Sequence, residues 1–297
     1  MSSKYDFHSH STASDGTLTP TELVTRAVSL GIDAIALTDH DSVDGLDEAT
    51  LAAKDSGIRL VRGVELSVSW NRVAIHVLGL AIDSEYPDLV SGMEKMRTFR
   101  RWRAKEMDRR LAKRGIEGSL EAAQELCKGR ILSRTHFARV LVERGQAKDI
   151  GDAIRKYLKR GKPGYVPGQW ATLDEVVGWI KNAGGVSVLA HPMRYDLSAT
   201  RRRMLFAEFA ELGGNAIEVV NATNKPEESH HLAQVASKQG FCASQGSDFH
   251  SAENPWIELG RFSALPPNCR PVWELPPLAA VVGGPATNTK MIGQVNS

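Results

Sequence analysis

Residues 5–41, YDFHSHSTASDGTLTPTELVTRAVSLGIDAIALTDHD, contain one complete strand–helix–strand unit and so indicate the fold class. Its first segment places Asp6, His8 and His10 at every second position, and in a strand such residues share one face. Three titratable groups on one side of a strand indicate a metal site. The alternative is a polar edge strand in which the histidines are incidental.

The helix of this unit has clear start and stop signals. Thr19 is placed to cap it, Pro20 takes the first helical position, and Glu22 completes a capping box. Gly31 then ends the helix. The segment DAIALTDH follows as the second strand, so the unit is of the βαβ type.

Similar units follow along the chain. Thr172 and Glu175 repeat the capping signature at the start of a later helix. The repetition favours a parallel α/β barrel, although the pattern alone does not exclude an open sheet. The predicted elements are a helix over 44–56, the strands RLVRGVELSV and VAIHVLGLAI, then VSVLAH, a helix over 200–212, AIEVV, a helix over 227–239, and FCASQGSDFH.

The middle and the end of the chain differ from these repeats. Residues 87–161 are helical, basic and poor in β-branched runs, which indicates an inserted helical module. We therefore predict a discontinuous barrel, a helical insertion that contributes to substrate binding, and a C-terminal tail whose end is disordered. The predicted bounds are 1–98 and 165–270 for the barrel, 99–164 for the insertion, and 271–297 for the tail.

Composition limits the class of protein. With 42% hydrophobic and 24% charged residues, the 297-residue chain is typical of a globular protein. It has no apolar run approaching the roughly 20 residues of a membrane span. No export signal opens it, and its three cysteines are widely spaced, so we expect a cytoplasmic protein with free thiols. Nothing predicts a membrane association or an obligate protein partner.

Charge is balanced overall but uneven locally. The net charge of +2 argues against a general nucleic-acid-binding protein. Two basic runs, at 96–110 and 155–165, favour an anionic ligand. The alternative interpretation of both runs is solvated helix faces.

Metal-capable side chains lie at or near the end of nearly every predicted strand. Six of the nine histidines are among them, whereas His136, His230 and His231 fall on predicted helices. In a parallel barrel these ends meet at the catalytic face. Imidazoles and carboxylates without cysteine suit Mn²⁺, Fe²⁺ or Zn²⁺, and their number implies two or three ions. The set comprises His8, His10, Asp15, Asp39, His40, Asp41, Glu65, His76, His191, Glu218, Asp248 and His250.

Some of these residues have simpler interpretations. His76 alone is more typical of a buried strand residue, and Glu218 alone of a salt-bridge partner. Asp6 and Asp39 are expected to orient the imidazoles beside them rather than to bind metal.

In this order, DFHSH, SDG, TDHD, GVE, IHVLG, AHP and GSDFH resemble the motifs of the PHP (polymerase and histidinol phosphatase) domain. The resemblance covers about 4–98 and 165–262, and it implies a distorted seven-stranded (βα) barrel, TIM-like, with three divalent metal ions. It implies a first metal held by His8, His10, Glu65 and Asp248, a second by Asp15, His40 and His250, and a third by Glu65, His76 and His191. It makes Asp15, His40, Glu65, His191, Asp248 and His250 the catalytic set.

This resemblance implies a metal-dependent phosphoesterase. Adjacent ions polarise phosphoryl oxygens and activate water, so we hypothesise in-line attack on phosphorus by a metal-bound hydroxide. Mn²⁺ is the expected metal, with Fe²⁺ or Zn²⁺ as alternatives. Arg194, just beyond His191, is a candidate phosphate clamp, and the alternative is an ordinary loop arginine.

The insertion suggests the substrate. ILSRTHFARVLVERG and GKPGY resemble one PHP subgroup, the 3′,5′-nucleoside bisphosphate phosphatases related to RNase AM. The resemblance implies that Ser133, Arg134 and Lys162 bind a 5′-phosphate, to which arginine and lysine are suited. His136 either joins them or packs. An aromatic side chain is expected to stack on the base, and the candidates are Tyr157, Tyr165 and Trp170.

The expected activities are hydrolysis of the 3′-phosphate of nucleoside 3′,5′-bisphosphates and trimming of short 5′-phosphorylated oligoribonucleotides from the 5′ end. The expected partners are therefore bisphosphates and short single-stranded RNA, with DNA left open. One alternative is a histidinol-phosphate-type phosphomonoesterase. Another is a polymerase-associated PHP module that binds or proofreads nucleic acid and whose metals are structural.

Overall fold

A computed structural model describes residues 3–283 and contains one seven-stranded sheet in the order β1 to β7. The predicted disorder at the end of the chain falls on 284–297, outside the described residues. The strands are β1 (Tyr5–Asp6), β2 (Ala34–Leu37), β3 (Arg59–Trp70), β4 (Val73–Leu80), β5 (Val186–Leu189), β6 (Ala216–Asn221) and β7 (Cys242–Gly246).

Ten α-helices accompany the strands between residues 3 and 283. A π-helical turn at Ile154–Leu158 and a 3₁₀ turn at Val272–Glu274 complete the described elements. Within this part of the chain, no helix has the length and apolar character needed to cross a membrane. The helices are α1 (Pro20–Ser29), α2 (Leu46–Ser56), α3 (Pro87–Ala112), α4 (Ser119–Leu126), α5 (Arg134–Glu143), α6 (Ile150–Ala153), α7 (Leu173–Asn182), α8 (Ala199–Glu211), α9 (Pro226–Gln239) and α10 (Pro276–Val282).

The sheet curls until β1 and β7 meet, which confirms the distorted seven-stranded barrel. Near this seam the Phe7 amide donates to the Gln245 carbonyl at 3.1 Å. Beyond β1, a single bridge pairs Ser9 with Phe249. Closure therefore rests on three backbone hydrogen bonds, and β1 itself has only two residues.

One strand runs against the expected direction. β4 is antiparallel to both β3 and β5, so the expectation of a wholly parallel barrel is wrong at this strand. The cause is the two-residue hairpin at Asn71 and Arg72, whose φ angles of 44° and 65° turn the chain directly back. His76 lies in the first half of β4 and, because of the reversal, at the same end of the barrel as the carboxyl ends of the parallel strands.

The predicted helix signals are confirmed. Thr19 with Glu22 and Thr172 with Glu175 both form reciprocal capping boxes. These boxes satisfy amide groups that the first turn of a helix leaves without partners. α2 ends on Gly57 in the left-handed conformation, with φ of 75°.

An apolar core fills the amino-terminal end of the barrel. Phe7, Leu78 and Val188 belong to it, and all three are fully buried. Leu278 and Val282 of α10 pack against the same cluster. The last described residues therefore cover the end of the barrel that is opposite the strand ends carrying the histidines.

The helical region has a core of its own. Met107 of α3 packs with Phe137 and Leu141 of α5 and with Leu158 of the π-helical turn. α3 begins at Pro87 and runs without a break across the predicted boundary at 99. The domain limits thus stay a prediction, but the separate core agrees with an inserted module.

Candidate metal centre

The nine predicted metal ligands converge at one end of the barrel. They form four overlapping groups in which the potential ligand atoms lie within 4.8 Å of one another. His136 lies on α5, and His230 and His231 lie on α9, as predicted. The groups are His10, Asp15, His40 and His250; His8, Glu65 and His191; His8, His10 and Asp248; and His40, Glu65 and His76.

Glu65 of β3 occupies the middle of the centre. Its Oε1 lies 3.0 Å from His76 Nδ1 and 3.1 Å from His191 Nε2. Its Oε2 lies 2.8 Å from His40 Nδ1 and 3.3 Å from His10 Nε2. A carboxylate whose two oxygens face different imidazoles has the geometry of a bridging ligand.

Two aspartates define the flanks of the centre. Asp15 Oδ1 lies 3.4 Å from His250 Nε2 and 4.0 Å from His40 Nε2. Asp248 Oδ1 lies 3.2 Å from His8 Nε2. All three carboxylates of the centre are buried, together with His8. Charged groups at such depth need a compensating partner.

The backbone is strained at two of these residues. His191 and Asp248 adopt φ angles of 28° and 55°, in a region that non-glycine residues rarely occupy. Glu218 accepts the His191 amide at 2.6 Å, and the Asp248 amide donates to the His8 carbonyl at 2.9 Å. Such strain concentrates at functional sites, where surrounding contacts enforce it.

The carboxylates attract positive charge into the centre. Burial opposes protonation of His8, but Asp248 and Glu218 help to outweigh it and raise the pKa of His8 well above its usual value. Burial and the neighbouring His250 instead lower the pKa of His10 to about 3. The carboxylates of the centre thus favour positive charge beside them, and a divalent cation would supply that charge.

Unsatisfied atoms provide the test of whether the residues fit metal ions. His8 Nε2, both ring nitrogens of His10, Asp15 Oδ1 and Glu65 Oε2 are buried and make no hydrogen bond to a described residue. Buried polar atoms without partners are rare in folded proteins. Imidazole nitrogens and carboxylate oxygens directed at one another in this way suit divalent cations, so the site fits them.

Supporting carboxylates play other roles than expected. Asp6 accepts hydrogen bonds from the amides of His8, Ser247 and Gly260, with no bond to an imidazole. Asp39 accepts from the backbone and hydroxyl of Ser11 and from Ser14. The expectation that these two aspartates orient imidazoles is therefore wrong, because backbone amides and serine hydroxyls occupy their oxygens.

Glu218 has the role that was expected of those aspartates. Its Oε1 lies 3.0 Å from His8 Nδ1, and its Oε2 accepts the His191 amide. Tyr195 similarly supports His76, whose amide donates to the Tyr195 hydroxyl at 2.8 Å. These contacts fix the orientation of side chains in the centre.

An ion pair ties the α3 helix to the segment that follows His40. Asp41 is fully buried with φ of 47° and accepts from the Ser67 amide at 2.7 Å. Arg100 Nε donates to Asp41 Oδ2 at 2.7 Å. Arg97 Nε donates to the Asp41 carbonyl at 3.3 Å. Asp41, one of the metal-capable residues, is thus bound by arginine instead.

Arg194, Ser133 and His136 all lie close to the centre. Arg194 contacts Asp248 and also donates to the Thr223 hydroxyl at 3.1 Å. The Ser133 hydroxyl donates to Asp15 Oδ2 at 2.9 Å, and His136 Nδ1 accepts the Ser133 amide at 3.1 Å. These contacts connect α5 to Asp15. The substrate-binding roles of the three residues stay predictions.

A group of arginines lies beside the centre, against Trp170. Arg100 and Arg103 lie 4.8 and 5.5 Å from the ring centroid of Trp170. Burial, and then the charges of Arg134 and Arg100, lower the pKa of Arg103 to about 9. Neither Arg103 nor Arg134 pairs with a carboxylate among residues 3–283. Like charges held together without a counter-ion point to an anionic ligand.

The remaining substrate candidates are less constrained. Lys162 is exposed. Tyr157 packs against the core of the helical region, while Tyr165 lies near Arg103 and Arg134. Their roles stay predictions, and Trp170 is the aromatic candidate whose ring contacts the arginine group.

Sequence reasoning missed Arg100 and Arg103. Both belong to the basic run at 96–110, which favoured an anionic ligand as a whole, with a solvated helix face as the alternative, and did not single out any one arginine. A signal was present for Arg100, because it shares the α3 face of the buried residues Met93, Met96 and Ala104. A charge that interrupts an apolar stripe indicates a buried partner.

Comparisons with known proteins agree with this geometry. Residues 6–166 match the PHP domain family. A 3′,5′-nucleoside bisphosphate phosphatase from Chromobacterium violaceum is 45% identical, with 90% of this chain and 94% of that protein covered. The 5′-3′ exoribonuclease Rnm from Escherichia coli is also 45% identical, over 91% of this chain and 93% of its own. A solved structure, an amidohydrolase from C. violaceum with bound sulfate and no metal, superimposes with a TM-score of 0.89 at 44% identity, over 94% and 96% of the two chains.

Proposed function

The chain belongs to the PHP domain family, and we propose that it hydrolyses the 3′-phosphate of nucleoside 3′,5′-bisphosphates and trims short 5′-phosphorylated RNA from its 5′ end. Two relatives at 45% identity are named for these two activities. The observation that carries the proposal is that Arg103 and Arg134, which have no carboxylate partner among the described residues, lie beside nine candidate metal ligands.

We propose three divalent cations per chain, with Mn²⁺ first and Fe²⁺ or Zn²⁺ as alternatives, because the donors are nitrogen and oxygen only. When bound, these cations would polarise the phosphoryl oxygens, make a water molecule nucleophilic at neutral pH and stabilise the leaving oxygen. The ligands would be His8, His10, Glu65 and Asp248 for the first, Asp15, His40 and His250 for the second, and Glu65, His76 and His191 for the third.

Arg194 would orient the phosphoryl group that reacts. Its guanidinium contacts Asp248 and Thr223, and it keeps further N–H donors free for a phosphoryl oxygen. The contact with Asp248 also fixes the plane of the guanidinium, so little side-chain entropy is lost when substrate binds.

The 5′-phosphate would bind at the arginine group. Arg103 and Arg134 supply several N–H donors each, and the phosphate would provide the direct anionic partner that neither arginine has among the described residues. The exposed Lys162 would close over the same phosphate, with Ser133 and His136 at its inner edge. Trp170, already in contact with two guanidinium groups, would support the nucleoside.

The two activities would use one binding mode. A bisphosphate and a 5′-phosphorylated RNA share the 5′-phosphate, the first ribose and the phosphorus attached to its 3′ oxygen. With the 5′-phosphate held beside α5, the 3′ phosphorus would meet the metal centre in either substrate. A free 3′-phosphate would then release inorganic phosphate, and a phosphodiester would release the first nucleotide. DNA would be accepted only if the 2′ hydroxyl is not required.

Phosphate release from three small substrates tests the proposal. The Mn²⁺-loaded enzyme should turn over adenosine 3′,5′-bisphosphate faster than adenosine 3′-monophosphate, which lacks the 5′-phosphate, and faster than histidinol phosphate. Asp15→Asn is the control, because a catalytic metal centre requires this carboxylate. Faster release from histidinol phosphate, or full activity of Asp15→Asn, would contradict the proposal.

A further inference from the structure

A cavity of about 540 Å³ lies outside the metal centre, between α3 on one side and α4 with the segment that joins it to α5 on the other. Thr98, Arg101, Trp102 and Lys105 line one side. Their spacing of i, i+3, i+4 and i+7 places them on a single face of α3. Arg130 is among the residues that line the other side. We refer to this space as the α3 cavity.

Trp102 gives the α3 cavity an aromatic surface. Its side chain is 53% exposed, which is unusual for the largest apolar residue. The ring of Phe99 stacks against it with centroids 5.5 Å apart and planes 29° from parallel. The indole is therefore held in place by a second ring while half of its surface stays open to a ligand.

The charge of the α3 cavity is positive. None of the described residues that line it is acidic, whereas Arg101, Lys105 and Arg130 are basic. Arg101 pairs with exposed Glu94 at 3.0 Å, and Arg130 lies only within 3.9 Å of Asp44. Both pairs are solvent-exposed and weak, so the cavity keeps its attraction for anions.

The segment that joins α4 to α5 lines the α3 cavity and also packs against the loop that bears Asp15. Gly129 packs so closely on the loop bearing Asp15 that a Cβ there would lie 2.5 Å from the Ala13 carbonyl. Arg130 faces outward with its side chain 67% exposed. Asp44, close to Arg130, follows the predicted ligand His40 by four residues. The cavity thus lies beside the centre.

We propose that the α3 cavity binds a nucleotide of the RNA substrate on the 3′ side of the scissile linkage. Trp102 stacks on its base, and Lys105 and Arg130 neutralise neighbouring phosphates. The volume suits a ligand of nucleotide size. This inference rests on the proposed function, because the arginine group beside the metal centre is assigned there to the 5′ end. A bisphosphate has no nucleotide beyond its 3′-phosphate, so only longer RNA would occupy the cavity.

Kinetics on substrates of different length test the inference. In Trp102→Ala, kcat/KM for 5′-phosphorylated octaribonucleotide should fall about 5- to 150-fold, the range for loss of one stacked base. Activity on adenosine 3′,5′-bisphosphate should stay within about twofold. Trp256→Ala is the matched control, because this tryptophan is 83% exposed and does not line the cavity. Lys105→Ala should flatten the dependence of octanucleotide binding on salt.

Binding gives a readout that does not depend on turnover. In an Asp15→Asn background, Trp102→Ala should raise the Kd for a labelled octaribonucleotide, measured by fluorescence anisotropy, by the same factor. Equal losses on bisphosphate and octanucleotide, or no loss on the octanucleotide, would overturn the inference. If wild-type protein cleaves neither substrate, the proposed function fails; if it cleaves both and Trp102→Ala behaves like Trp256→Ala, the α3 cavity assignment alone fails.

Discussion

The most informative residues beside the metal centre are Arg103 and Arg134, two neighbouring arginines of which neither pairs with a carboxylate among residues 3–283. Burial and the charges of neighbouring arginines lower the pKa of Arg103, and burial also lowers the pKa of Arg134. A folded protein tolerates such a pair when a ligand supplies the negative charge. The motif resemblance indicated Arg134 but not Arg103, because the run at 96–110 has the composition of an ordinary basic helix surface and no motif singles out one of its arginines.

Replacing Arg103 tests its role in binding the 5′-phosphate. Arg103→Met should lower kcat/KM for adenosine 3′,5′-bisphosphate about 10- to 100-fold, since a charge-assisted hydrogen bond is lost. Activity on adenosine 3′-monophosphate should change little. Arg109→Met, at an exposed position of the same helix, is the control. Steady-state kinetics with both substrates measure the difference, and an equal loss on both would contradict the assignment.

His136 gives a prediction about pH. It is buried, and burial lowers its pKa from 6.5 to about 4. Below pH 6.5 the unfolded chain therefore binds a proton at His136, whereas the folded chain binds it only below about pH 4. The free energy of unfolding thus falls as the pH drops from 6.5 to about 4. His136→Asn keeps an acceptor for the Ser133 amide but does not titrate.

Urea unfolding of the metal-free protein measures this effect. Between pH 7 and pH 5, wild type should lose about 2 kcal/mol more of its free energy of unfolding than His136→Asn. Other titrating groups are common to both proteins and cancel in the comparison. The same loss in both proteins would show that His136 is protonated in the folded state.

At the scale of elements, local signals predicted the helices well. The capping boxes at Thr19 and Thr172 formed as expected, because a cap depends only on residues within one turn. The direction of β4 was not predicted, because it depends on which strands pair with it across the sheet. Asn71 and Arg72 carry the hairpin signal, and it is weaker than the usual Asn-Gly pair.

The Arg100–Asp41 pair connects two elements, α3 and the loop after β2. Arg100→Met would leave a buried carboxylate without its cation, so we expect a loss of about 3–5 kcal/mol in the free energy of unfolding. Asp41→Asn should also destabilise, and the double variant should lose less than the sum of the two single losses. Urea unfolding of the four proteins measures this coupling. Additive losses would show that the pair does not hold the loop.

The same pair should affect the metal centre through His40, the residue before Asp41. We expect Arg100→Met to weaken binding of the second metal while the other sites stay filled, because the loop after β2 loses its attachment to α3. Metal content after dialysis against graded chelator measures this. Full retention of all metals by a folded Arg100→Met protein would limit the pair to a stabilising role.

At the scale of the whole molecule, the repeated strand–helix units predicted the barrel because each unit must bury its apolar face against the next. Each strand except β6 contributes a candidate ligand, either from the strand itself or from the loop that follows it. The contributing strands include β1 and β7, which meet at the seam. Backbone contacts across that seam are few. Cations bound at this end would therefore hold the barrel closed as well as support catalysis.

Metal removal tests this dual role. A ligand that binds only the folded state adds about 4 kcal/mol to the free energy of unfolding when its concentration is about 1,000 times its Kd. Chelation of the metals should therefore lower Tm clearly. Amide exchange should accelerate most at 5–10 and 242–250, on the two sides of the seam, because the carboxylates and imidazoles there lose the cations between them. The separate core formed by α5 and the π-helical turn should exchange at an unchanged rate. Added Mn²⁺ should restore protection, and uniform acceleration over the whole chain would instead indicate that the metals stabilise the fold without acting at the seam.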